Sequence, residues 1–154
     1  MPDAVPDDPR GALALVTMLS KSVYSTVAER DGTSFKLKEL VGLSYLREFG
    51  TIGQKYFGAV LCLDANNTVL FLNELERGGL AVRKRDPEDR RRHVIELTET
   101  GLQVLREVEA AMSEIEDSLL AALDEDQRKQ LRELLHQALY GRGGVFERRT
   151  AAAM

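Results

Sequence analysis

Tryptophan is absent from this 154-residue chain, and Phe and Tyr raise the aromatic share only to 6%. So thin a supply argues against a stacking platform for single-stranded nucleic acid. A single cysteine, Cys62, cannot close an internal disulfide, and the only histidines, His93 and His136, lack any nearby second ligand for a zinc site. The longest nearly apolar run, residues 58–63, is far too short to span a bilayer. Residues 1–10 (MPDAVPDDPR) are acidic and Pro-rich, the opposite of a signal peptide's basic start and apolar middle. No nucleophile with its base and no carboxylate pair stands out, and Gly78-Gly79 reads as a helix stop rather than a phosphate cradle. These absences predict a soluble, cytoplasmic protein that is no enzyme, with no membrane association, metal or cofactor.

What is present suffices for a core: 44% of residues are hydrophobic and 30% charged, in about one domain's length of chain. The net charge of −4 hides a segregation. Residues 77–92 hold seven basic side chains (Arg77, Arg83, Lys84, Arg85, Arg90, Arg91, Arg92) against three acids, whereas residues 99–140 hold ten acids against four basic residues. A local basic patch on an acidic protein marks one surface for an anion, unless it is merely a solvated loop.

Apolar spacing divides the rest into elements. Leu13, Val16, Val23 and Val27 recur at helical intervals up to Asp31-Gly32, and Leu40, Leu43, Leu46 and Phe49 do so up to Gly50. A short segment, residues 54–61, puts Phe57, Gly58 and Leu61 inward, and Asp64 then caps a helix over residues 65–77. In that helix Thr68, Phe71, Leu72 and Leu75 share one face, so Asn66, Asn67, Leu70 and Asn73 point elsewhere, with Val69 at the margin. Residues 80–85 and 93–97 alternate as two strands around the turn residues Asp86-Pro87-Glu88-Asp89, giving a ribbon with a basic tip. Thr98 caps a helix of some 25 residues, about 37 Å long, whose apolar stripe extends to Leu123. Asp124 and Gln127 form a capping box for a last helix with Leu131, Leu134, Leu135 and Ala138 inward. Within one chain these stripes have too little partner surface, so a second copy is expected to cover them.

A string within this order carries a family resemblance. Residues 85–101, Arg-Asp-Pro-Glu-Asp-Arg-Arg-Arg-His-Val-Ile-Glu-Leu-Thr-Glu-Thr-Gly, are similar to the Asp-x-Arg wing and Leu-Thr-x-x-Gly exit of MarR-family transcription regulators. Leu75-Glu76-Arg77-Gly78-Gly79-Leu80 resembles the usual end of their recognition helix. The resemblance implies a mainly α fold with a small β-wing. Its parts would be a tail (1–10), an N-terminal dimerisation helix (11–34), a winged helix-turn-helix domain (35–98), C-terminal dimerisation helices (99–140) and a second tail (141–154). It implies a homodimer on a pseudo-palindromic double-stranded DNA site, usually a repressor, released in many members by a small phenolic or anionic effector.

Carried onto this sequence, the recognition helix would present Asn66, Asn67, Leu70 and Asn73 to the major groove. Asn pairs bidentately with adenine, which favours an A/T-containing half-site. Leu70 stands where many members have a polar residue, and Val69 where Thr or Ser is common; here they would meet thymine methyls or weaken sequence reading. Lys84 and Arg85 would contact backbone from the strand flanks, and Arg90 and Arg91 would reach phosphate or a narrow minor groove. Asp89 would pair with Arg91 to hold the wing tip. No residue identifies an effector; Tyr24, Tyr45 and Tyr56 would either line its cleft or pack as core. Cys62 either fills the turn before the recognition helix, half-buried, or senses oxidants there. The alternative function is a winged-helix dimer that binds protein or lacks an effector response.

Overall fold

A computed structural model describes residues 11–30 and 37–153. The N-terminal tail expected over residues 1–10 lies outside the described residues, as does the junction at 31–36. The elements run α1 (Gly11–Glu29), α2 (Leu37–Phe49), β1 (Ile52–Gly53), α3 (Gln54–Val60), α4 (Ala65–Arg77), β2 (Ala81–Arg85), β3 (His93–Leu97), α5 (Glu99–Leu119), α6 (Glu125–Tyr140) and α7 (Val145–Ala153). This is the mainly helical fold with a β-wing that the sequence implied.

The core lies where α2, α3, α4, the sheet and the start of α5 meet. Leu43, Leu46, Phe57, Phe71, Leu72, Leu75, Ile95 and Leu105 are sealed from solvent there, and each such side chain contributes about 1.5–3 kcal/mol by its burial. The rings of Phe57 and Phe71 stack with centroids 6.1 Å apart. Gly42 of α2 lets them approach, since a Cβ there would lie 3.1 Å from the Phe71 ring. Thr68, Phe71, Leu72 and Leu75 form the buried face of α4, as their spacing predicts.

The wing is broader at its base than a hairpin. β2 pairs antiparallel with β3 in the register Ala81↔Leu97, Arg83↔Ile95, Arg85↔His93, and β1 adds a third strand through Ile52↔Ile95. Two residues cannot show alternation, so β1 leaves no sequence signal.

The wing's exit is held by one threonine and one glycine. Thr98 Oγ1 accepts from the Gly101 N–H at 2.9 Å and donates to the Gly79 carbonyl at 2.6 Å. A Cβ on Gly101 would stand 2.0 Å from the Leu80 carbonyl oxygen. The Leu-Thr-x-x-Gly string thus clamps the start of α5 onto the end of α4.

Four expectations need correction. α5 has 21 residues, not some 25, because the chain turns at Leu120 before the Asp124–Gln127 capping box starts α6. The inward set on α6 is open in the single chain: Leu131 is half-buried and Leu134, Leu135 and Ala138 are exposed. Residues 141–154 are not simply a frayed tail, since α7 occupies most of them and packs along α3. The Gly141-Arg142-Gly143-Gly144 stretch that suggested fraying makes a turn, with Gly143 at φ +71°, and Phe146 then anchors α7 edge-on against Tyr45 and Tyr140. Finally, α1 outranks residues 58–63 as an apolar segment: its 19 residues are long and apolar enough by composition to cross a bilayer, and none is buried.

Candidate nucleic-acid interface

The start of α4 is fixed by Asp64, whose carboxylate accepts from the Asn67 backbone N–H and from Asn67 Nδ2, each at 2.8 Å. These bonds hold the Asp64 carboxyl below its ordinary range. Thr68 donates to the Asp64 carbonyl at 2.7 Å, and a Cβ on Gly58 would lie 2.3 Å from that hydroxyl, so α3 and α4 meet at van der Waals distance through a glycine. Asn66, Val69 and Leu70 stand exposed on the outer face. Asn67 is exposed too, but its amide nitrogen is engaged by the cap.

Asn73 is withdrawn from that face. Its Oδ1 accepts from Arg83 Nη2 at 2.6 Å, and Glu76 receives both the Arg83 backbone N–H at 2.9 Å and Nε at 3.0 Å. The guanidinium fork holds the Glu76 carboxyl below its ordinary range. One arginine of β2 therefore rivets the wing to α4. The cross-strand partnership of Arg83 with Ile95 aims it at the helix, which sequence reading missed because Arg83 looked like one more member of a basic run.

Two expected phosphate contacts are also occupied. Lys84 pairs with Glu96, whose carboxyl is thereby held low, and Arg85 Nη1 donates to the Arg90 carbonyl at 2.8 Å. The wing tip is a nest of local bonds: Asp86 Oδ1 accepts from the Glu88 N–H at 2.9 Å and Asp89 Oδ1 from the Arg91 N–H at 3.0 Å. The expected side-chain pair between Asp89 and Arg91 is absent. Asp89 pairs instead with Arg92 Nε at 3.4 Å, because the tight turn returns the third residue onward, not the second, to its side. Arg90 and Arg91 are exposed, and their guanidinium groups have no partner among the described residues.

An open groove of 1290 Å³ runs between the start of α3, the α3–α4 turn and the wing, with Lys55, Tyr56, Arg91 and Arg149 on its walls. A second cavity of 680 Å³ lies between α2, α5 and α6, beside Leu40, Met112, Arg128 and Arg132. The three tyrosines do not converge on either: Tyr45 is core, Tyr24 is exposed on α1 and Tyr56 lines the first groove. Cys62 is exposed, not half-buried as expected for a turn filler. Its φ of +58° places it at the left-handed position of a Schellman turn, where the Leu63 N–H reaches the Gly58 carbonyl at 2.9 Å. His93 is exposed, His136 lies beside the Tyr140 ring, and no metal-binding group of three is found among the described residues.

Residues 35–93 match the family model described as MarR family. The chain is 28% identical over 129 residues, 82% of its length and 72% of the relative's, to a Thauera aromatica protein named as a transcriptional regulatory protein for the hcr operon. A transcriptional regulator from Pseudomonas aeruginosa shares 27% identity and a TM-score of 0.67 over 85% of this chain and 97% of its own. The PcaV regulator of Streptomyces coelicolor, solved with its natural ligand, shares the fold at 24% identity and a TM-score of 0.67, over 87% of this chain and 95% of its own. The family model falls on the helix-turn-helix and wing just described, so this winged unit is similar to that of MarR-family transcription regulators.

Proposed function

We propose that this protein is a MarR-family transcription regulator that binds a pseudo-palindromic double-stranded DNA site as a homodimer and represses transcription from it. One observation carries the reading: the partner-free guanidinium groups of Arg90 and Arg91 stand on a wing riveted to α4, beside that helix's open outer face. Asn66, with its amide free, is the best placed base reader, and Asn67 and Leu70 flank it. Asn73, Lys84 and Arg85 act on DNA only by exchanging the intramolecular partners they already hold. Helices α1, α5 and α6 form the dimer interface. A small phenolic or anionic effector releases the DNA, as the ligand-bound form of PcaV suggests by analogy; Arg128 and Arg132 beside the second cavity suit an anion. A protein with this role works in the cytoplasm.

The test is fluorescence anisotropy on upstream intergenic duplex against random duplex, with salt raised from roughly 50 to 200 mM. Specific binding with a steep salt dependence is expected. Arg91→Ala should weaken binding to every sequence alike and reduce the salt slope by about one. Unchanged affinity would sink the wing assignment. A second reading, a protein-binding module, is favoured by one observation, the exposed Val69 and Leu70 on α4; a flat salt response would bring it forward.

A further inference from the structure

The groove beside the wing has a wall that the winged unit does not supply. Arg149 comes from α7, beyond the span matched by the family model, and reaches the groove because Phe146 pins that helix to Tyr45 and Tyr140. Four basic side chains (Lys55, Arg91, Arg92 and Arg149) and two acids (Asp64 and Asp86) line the groove. Both acids are engaged locally, by Asn67 and by the Glu88 N–H, and Arg92 is paired with Asp89. Lys55 and Arg91 are left without partners among the described residues, and Arg149 has only a 3.4 Å bond to the Ala59 carbonyl. Hydrogen bonds from neutral groups leave both carboxylates charged, but the three unpaired cations outnumber them, so the groove is net positive and suits a polyanion.

We propose that α7 is a further arm of the DNA-contacting surface, in which Arg149 takes a backbone phosphate of the duplex alongside Lys55 and Arg91. The proposal rests on the DNA-binding reading above. The groove opens beside the start of α4 and the wing tip, so a strand engaged by both passes along it. Tyr56 and His93 are the rings on its walls, too few for a run of stacked bases, so the contact is with backbone.

The experiment uses the full chain and random-sequence duplex at about 50 mM salt and above, where phosphate contacts dominate. Arg149→Ala, Arg149→Glu and Arg149→Lys are compared with Arg91→Ala, and with Arg142→Ala as a control for net charge, Arg142 being exposed in the turn before α7 and outside the groove. Arg149→Ala should bind several-fold more weakly with a salt slope lower by about one. Arg149→Glu should be weaker still, Arg149→Lys should recover most of the loss, and Arg142→Ala should match wild type. Wild-type binding by both Arg149→Ala and Arg149→Glu, with Arg91→Ala impaired, would overturn the α7 arm and leave the DNA reading intact. Absence of any salt-dependent binding by wild type would overturn both. A loss shared equally by Arg149→Lys, with a lowered melting temperature, would make Arg149 structural and also overturn the proposal.

Discussion

At the scale of single residues, two positions carry backbone constraints that can be checked directly. Cys62 occupies the left-handed site of the turn between α3 and α4 at φ +58°, where a side chain is strained and glycine is not. Cys62→Gly should stabilise the protein by about 1 kcal/mol, raising the melting temperature by about 2–4 °C. A lower melting temperature would show that the thiol's contacts outweigh the strain. Gly101 is the reverse case. With the Leu80 carbonyl 2.0 Å from the site of its missing Cβ, Gly101→Ala must push α5 off the end of α4. A loss of about 1–3 kcal/mol in urea unfolding is expected, the range for overpacking. The sequence displays both residues, but only the backbone angles and approach distances reveal what they are for.

Between elements, the wing's attachment to α4 through Arg83 and Glu76 has a pH signature. Glu76 is held below its unfolded value of 4.5 by Arg83. Its contribution is therefore fully present above that value and disappears as the pH falls through the lower folded one. Wild type should lose stability between pH 5 and 3 more steeply than Glu76→Gln, followed by thermal melts across about that range. Parallel profiles would show that the ion pair contributes nothing to folding. Helix α4 was legible to the residue because its cap, its apolar spacing and its glycine stop agree. Arg83 was not, because alternation shows which residues share a face and not what that face meets. The wing tip was half legible: turn chemistry predicted the bend, while the choice of Arg92 over Arg91 as the partner of Asp89 depended on turn geometry.

On the whole-molecule scale, the open question is what covers α1 and α6. Neither contains a buried residue, Leu13 is 82% exposed and Leu134 57% exposed. Apolar faces of this size are unstable in water unless another surface meets them, and the proposed dimer supplies one. Sedimentation should give twice the 17.2 kDa of one chain. Leu13→Glu and Leu134→Glu should each shift the equilibrium to single chains, since each removes about 1.5–3 kcal/mol of burial per copy and adds a charge. A wild type that sediments as one chain would overturn the interface. Recovery of the wild type with membranes would instead assign α1 to a bilayer.

The sequence alone determined the order of helices α1 to α6, the buried face of α4, the caps at Asp64, Thr98 and Asp124, and the basic hairpin, because all of these are local: periodicity, capping and turn chemistry act within a few residues. The tertiary structure decided which basic side chains remain free. Lys84 and Arg85 are tied to Glu96 and the Arg90 carbonyl, and Arg83 holds the wing to α4. It also turned the expected C-terminal tail into a helix that carries Arg149 to the groove beside the wing. The physical reason is common to both. A charge in a sequence reports only its sign, whereas its partner, and so its availability to DNA, is set by residues distant in the chain.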